Sequence, residues 1–159
     1  MFWRKNKRTA SQETGDSRTV PSVAVTLQQV KQIIREFEKH LPKGINRTVL
    51  IGSDNEINFE LLLPFLKGVP EQKFYMSRES FEIFAEEERH IPVWLDIVQR
   101  AVDDYMAEEK AAPTLPGDET RKISYVLLQD NYYLKELPPL DFYLSDLEDL
   151  ITHLPADNA

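Results

Sequence analysis

The sequence predicts an α+β fold, in which about three helices pack on one face of a largely antiparallel sheet. The hydrophobic spacing supports this class, because stretches of helical period and stretches of strict polar–apolar alternation both occur. The length supports one domain, since 159 residues can bury a core without disulfides or metals. We therefore predict a single globular α+β domain at residues 21–159, preceded by a disordered basic tail at residues 1–20.

Composition and charge exclude several classes of protein. The chain has no cysteine, which excludes disulfide scaffolds, thiol catalysis and cysteine-bound metals. Its five glycines argue against glycine-rich phosphate loops. The net charge is −8 and the tail is basic, so the folded part is more acidic still and repels phosphate backbones. We expect no nucleic-acid binding and no cofactor.

The first helix is the clearest predicted element. Thr26 and Gln29 have the spacing of a capping box, in which each side chain bonds the backbone of the other residue. Pro42 and Gly44 end the helix. Between them, apolar residues recur at helical spacing and form one stripe: Leu27, Val30, Ile33, Ile34, Phe37 and Leu41.

The next segment predicts a β-hairpin. Residues 48–51 are β-branched and apolar, residues 52–55 have turn chemistry, and residues 56–61 alternate between polar and apolar side chains. A further short strand is predicted at residues 73–76.

Two helices should follow. Ser77 is the predicted N-cap of a helix that extends to Arg89, and Pro92 suits the first turn of the next helix. The apolar residues of that second helix predict its buried face: Val93, Trp94, Ile97, Val98, Ala101, Val102, Tyr105 and Met106.

The C-terminal third is predicted to be mostly β. Residues 123–128 should form a strand, and residues 130–136 are ambiguous, with a helical turn as one alternative. Residues 141–144 and 150–154 predict a second hairpin around an acidic turn.

Candidate chemical motifs are better explained by structure, so we predict no catalytic and no metal residues. Glu87 and His90 have the spacing of one helical face, but a carboxylate-bridged metal centre needs more such pairs. Glu56, Asn58 and Glu60 share one face of the predicted strand, as carboxylates in an acid–base site would, and as any solvent-facing strand does. Ser53 and Asp54 are typical of a turn.

Two surfaces are candidates for binding. Tyrosines among acidic residues suit a protein–protein surface, and the predicted partner contacts are Tyr132, Tyr133, Phe142 and Tyr143. The amino terminus combines two aromatic residues with four cations, which at about 1 kcal/mol each would give weak peripheral contact with an anionic membrane. The predicted membrane contacts are Phe2, Trp3, Arg4, Lys5, Lys7 and Arg8.

The sequence therefore favours a non-enzymatic, cytoplasmic accessory or regulatory protein that binds a protein partner. A small hydrolase-like enzyme with carboxylate acid–base residues and a peripheral membrane protein tethered by the amino terminus are the alternatives. Residues 73–84 and 91–96 resemble segments of small uncharacterised bacterial proteins, a resemblance that implies no activity. The identity of the partner and the oligomeric state stay open.

Overall fold

The computed structural model describes residues 21–147 and 149–155. Within these ranges the chain forms two compact units. The first unit comprises residues 21–50 and 58–73, and the second comprises residues 51–57 and 74–155. The predicted tail and the predicted membrane contacts at residues 2–8 lie outside the described residues.

The fold class is α+β, as predicted, with mixed helices and small sheets. The part of the chain that the structure describes contains three α-helices: α1 (Leu27–Glu38), α2 (His90–Glu109) and α3 (Tyr125–Asp130). Its six strands form three separate pairs rather than one broad sheet. None of the helices in these ranges is both long and apolar enough to cross a membrane.

In the first unit, α1 begins as the sequence predicts. The Thr26 hydroxyl accepts from the Gln29 amide at 3.1 Å, and the Gln29 side chain accepts from the Thr26 amide at 2.7 Å. The helix buries Val30 and Ile34 completely. It packs against a 3₁₀ helix, Phe59–Phe65.

A parallel pair of short strands completes the first unit. Strand β1 (Ser22–Val23) pairs with β2 (Val69–Pro70). A side chain on Gly68 would place its Cβ 2.1 Å from the Pro21 carbonyl oxygen. Glycine is therefore required where these two segments meet.

The hairpin predicted at residues 48–61 is reduced to one isolated antiparallel bridge between Ile51 and Ile57. Three 3₁₀ segments, Arg47–Leu50, Ser53–Asn55 and Phe59–Phe65, occupy this part of the chain. The Asn58 side chain accepts from the Glu60 amide at 2.9 Å, so it begins a helix where strict alternation suggested a strand. The hydrogen bond between the Asn58 side chain and the nearby backbone favoured a helical turn over the strand that the polar–apolar alternation predicts.

The second unit is built around α2. Strands β3 (Phe74–Met76) and β4 (Ile83–Ala85) pair antiparallel, with Tyr75 opposite Phe84. Strands β5 (Tyr143–Leu144) and β6 (Ile151–Thr152) also pair antiparallel. These pairs confirm the strand predicted at residues 73–76 and the second hairpin. Buried side chains from α2, α3 and the strands form one apolar core: Tyr75, Phe84, Ile91, Leu95, Val98, Ala101, Val102, Tyr105, Ile123, Leu128, Leu134, Phe142, Leu144 and Ile151.

The predicted helix from Ser77 to Arg89 is wrong. The Ser77 hydroxyl accepts from the amides of Glu79 and Ser80 at 3.1 and 3.0 Å, as a helix cap would. The chain then turns at Phe81, whose φ is +62°, and returns as β4. The capping chemistry was interpreted correctly, but it closes a turn instead of starting a helix.

The predicted strand at residues 123–128 is also wrong, because a helix starts inside it. The Ser124 hydroxyl accepts from the Leu127 amide at 3.3 Å and caps α3. Only Ile123 takes part in strand pairing, as an isolated bridge to Thr114. The β-branched Val126 lies exposed on the helix.

Candidate functional site

The strongest candidate site is an open groove of about 500 Å³ beside α2, here called the α2 groove. One wall is α2, which contributes side chains at three- and four-residue spacing: Trp94, Ile97, Arg100, Ala101 and Asp104. The other wall is the segment that follows α3: Tyr133, Leu134, Lys135 and Glu136.

The α2 wall of this groove corrects one sequence prediction. Ile97 was assigned to the buried face of the helix, yet it is 36% exposed and lines the groove. Leu95 and Val98, its close neighbours in sequence, are fully buried. The apolar residues of α2 cover a wider arc of the helix than a single buried face requires. This wide arc could have indicated, from the sequence, that some of them are not buried in the core.

Tyr133 is fixed in the other wall by contacts with the C-terminal half of α2. Its hydroxyl donates a hydrogen bond to the Glu108 carboxylate. Its ring meets the Tyr105 ring edge-on, with centroids 5.5 Å apart. The hydrogen bond to Glu108 is the main cause of the raised pKa of Tyr133, with desolvation next, because an ionised phenol would lose that bond and repel the carboxylate.

Charge is distributed unevenly along the groove. Arg100 and Lys135 oppose Asp104 and Glu136 among the lining residues. Arg100 also lies 3.8 Å from the Glu79 carboxylate. At the Tyr133 end stand two further carboxylates, Glu108 and Glu109, both within hydrogen-bond distance of the Tyr133 hydroxyl. The groove therefore has an apolar end at Trp94 and Ile97 and an acidic end at Tyr133.

Tyr132 occupies an unusual backbone position at the end of α3. The Tyr132 amide donates to the Gln129 carbonyl at 3.0 Å, and the Tyr133 amide donates to the Leu128 carbonyl at 2.8 Å. This bond pair is a Schellman motif, whose left-handed residue is usually glycine. Here that residue is Tyr132, with φ +65° and a side chain 93% exposed. The left-handed conformation costs a residue with a side chain about 1–2 kcal/mol.

A second cavity of about 410 Å³ lies next to this tyrosine, here called the Tyr132 cavity. Its lining residues are Gln129, Tyr132, Leu134 and Lys135. Leu134 and Lys135 also line the α2 groove. The two cavities therefore flank the same short segment of chain.

The structure separates the four predicted partner contacts. Tyr132 and Tyr133 are neighbours at this surface. Phe142 is fully buried in the core, so its prediction as a surface contact is corrected. Tyr143 is half-buried in β5, where it pairs with Thr152. The apolar–polar alternation of the hairpin gave the signal that Phe142 points inward.

A buried carboxylate forms the other notable cluster of the second unit. Asp96 is 4% exposed and accepts four hydrogen bonds. Its Oδ1 accepts from the Ser77 hydroxyl at 2.5 Å and from the Glu79 amide at 3.2 Å. Its Oδ2 accepts from the Asn55 side chain at 2.7 Å and from the Arg78 amide at 2.8 Å. Each carboxylate oxygen of Asp96 already accepts two hydrogen bonds, and Ser77 is fully buried. The cluster therefore has a structural role, in which it holds the loops of Asn55 and Ser77 against α2.

The other chemical motifs do not assemble into a site. Asn58 and Glu60 lie at the start of a 3₁₀ helix, so they do not share a strand face with Glu56. Ser53 and Asp54 lie in a short 3₁₀ turn, as their turn chemistry suggests. Across residues 21–147 and 149–155, no three His, Cys, Asp or Glu side chains are grouped so that they could hold a metal ion.

A family model described as "Protein of unknown function (DUF3939)" matches residues 20–153. This match covers most of the chain, so the chain belongs to that family. No curated protein and no solved structure matches the chain. The family description states no activity.

Proposed function

We propose that this member of the DUF3939 family is a non-enzymatic interaction protein that binds a short segment of a partner protein in the α2 groove. The observation that supports this proposal is the open apolar face of α2, where Ile97 is 36% exposed beside Trp94 in a concave site. Aromatic side chains in concave surface sites are typical anchors of protein interfaces. A cytoplasmic location, predicted from the sequence, is part of the proposal.

The charges of the groove favour a particular kind of segment. A bulky aliphatic side chain fits the apolar end, where it would contact Trp94 and Ile97. A lysine or arginine next to it suits the acidic end, because four carboxylates in and beside the groove outnumber the cations Arg100 and Lys135: Asp104, Glu108, Glu109 and Glu136. The carboxyl end of α2 lies on the same side, and its helix dipole also favours a cation.

The proposal is tested with the full chain and a fluorescein-labelled peptide that carries a leucine followed by two lysines. Fluorescence polarisation should show saturable binding that weakens as salt rises, because exposed charge pairs are screened. A control peptide with glutamates in place of the lysines should bind much more weakly. Equal binding of the two peptides would contradict the charge argument.

A matched pair of variants locates the site. Ile97→Asp places a charge in the groove and should abolish binding of the lysine peptide. Leu115→Asp places the same charge at an apolar residue that is 57% exposed and does not line the groove, so it should bind like the unaltered chain. Thermal melts of both variants test whether each still folds. Undiminished binding by Ile97→Asp would overturn the proposed function.

A further inference from the structure

We infer that the segment bound in the α2 groove also carries an aromatic side chain, and that this ring stacks on Tyr132 in the Tyr132 cavity. The inference rests on the proposed function and extends it to a second subsite. It makes Tyr132 a residue that determines the specificity of binding.

The position of Tyr132 supports this role. With 93% of its side chain exposed, Tyr132 gains little from packing within the chain. Its φ of +65° disfavours any residue with a Cβ, and glycine suits that turn better. Neither burial nor backbone preference favours a tyrosine at this position, whereas contact with a partner would. Residues held in disfavoured conformations concentrate at functional sites.

The chemistry of the Tyr132 cavity favours an aromatic ring over other groups. The Tyr132 phenol offers a flat surface for offset stacking. Lys135 lines the same cavity, and its ammonium group attracts the face of a ring while it repels a guanidinium. The Gln129 side chain donates to the Lys135 carbonyl at 3.3 Å, which ties α3 to the segment that forms the cavity wall.

The two cavities are placed so that one segment can occupy both. Leu134 and Lys135 line the α2 groove and the Tyr132 cavity alike. Leu134 is 5% exposed, so the wall between the cavities is anchored in the core. A segment that leaves the acidic end of the groove passes over this wall and reaches Tyr132.

The test is a double-mutant cycle with the full chain. The probes are labelled peptides with the leucine and two lysines, in which a tryptophan stands at successive distances from the leucine. A matching series carries leucine in place of the tryptophan. Tyr132→Gly should weaken binding of the best tryptophan peptide roughly five- to tenfold, as expected for one aromatic pair. Tyr132→Phe should retain binding, because it keeps the ring.

The coupling between residue and ligand decides the inference. The leucine series should bind Tyr132→Gly and the unaltered chain equally, since neither pair has the stacked rings. The inference would be overturned if Tyr132→Gly weakened binding of the tryptophan and leucine peptides equally. It would also be overturned if this variant bound every tryptophan peptide as tightly as the unaltered chain does. If Ile97→Asp still abolishes binding, the proposed function survives. If the unaltered chain binds no peptide, the proposed function fails and the inference fails with it.

Discussion

Each face of α2 carries exceptions to the usual distribution of polar and apolar side chains, although its buried face is mostly apolar. On the inward face, Asp96 and Gln99 are 4% and 2% exposed. On the outward face, Ile97 is open to solvent and Trp94 lines a groove. A helix on the surface of a protein usually buries its apolar residues and exposes its polar ones.

The buried polar side chains on the inward face have a structural role. Both buried polar side chains are hydrogen-bonded to segments far away in sequence. Gln99 accepts from the Ile151 amide at 2.9 Å and donates to the Asp149 carbonyl at 3.2 Å. Such bonds fix the register of the segments they contact, because the alternative is an unsatisfied buried group. The inward face therefore specifies the fold, and we assign recognition to the outward face.

Asp96→Ala should have the largest effect, because it removes the acceptor for four donors at once. The Asn55 amide, the Ser77 hydroxyl and two backbone amides would lose this partner. We expect a loss of about 3–5 kcal/mol in the free energy of unfolding, measured by urea denaturation. Asp104→Ala on the outward face is the control and should change it by less than about 0.5 kcal/mol. Similar losses at both positions would remove the distinction between the faces.

Gln99→Leu should cost less, at about 2 kcal/mol. The leucine fills the space, but the Ile151 amide loses its acceptor. Hydrogen exchange should show faster exchange of that amide, because the hairpin of β5 and β6 is held to α2 through it. Exchange that rises equally across α3 would argue against a specific role in holding the hairpin.

Tyr132→Gly should raise the free energy of unfolding by up to about 1 kcal/mol, because glycine adopts a positive φ without the cost that a Cβ incurs. Tyr132→Ala is the matched control, since it removes the ring but keeps the backbone cost. Comparing the thermal and urea unfolding of the two variants separates the effect of losing the ring from the effect of relieving the backbone cost. A clear loss of stability in Tyr132→Gly would mean that the exposed ring stabilises the fold after all.

Glu79→Gln should give the smallest effect, a gain below about 1 kcal/mol at neutral pH. Burial raises the pKa of Glu79, and the nearby charges of Asp96 and Asp103 raise it further, against the opposite effect of Arg100. A raised folded-state pKa means that ionisation destabilises the fold above that pKa. The advantage of the variant should therefore shrink as the pH falls through the folded pKa and vanish below the usual glutamate range. Urea unfolding across that pH range measures it.

Local side-chain bonds were the most reliable features to predict from sequence. The Thr26 capping box forms as predicted because both partners lie within one turn of each other. The hairpin of β5 and β6 was also predicted correctly. Tyr132 and Tyr133 were chosen for their residue type, and the structure places them side by side at one surface.

The predicted helix at Ser77 was wrong because a distant residue determined the outcome, whereas the predicted strands that contain Asn58 and Ser124 were wrong because of local caps. Ser77 has the chemistry of a helix cap, but Asp96, 19 residues away, binds its hydroxyl. The same carboxylate accepts hydrogen bonds from the backbone amides of Arg78 and Glu79, so α2 holds the backbone of this turn. No local pattern contains that information.

The sequence by itself determined the α+β class, the start of α1 and the C-terminal hairpin, because these depend on periodicity and on bonds between near neighbours. Only the tertiary structure decided that residues 77–82 turn back, because the carboxylate that holds this turn belongs to Asp96 on α2. The α2 groove likewise depends on the tertiary structure, since its walls come from segments about 30 residues apart. Packing between such segments depends on the whole second unit, which the pattern of any one segment does not encode.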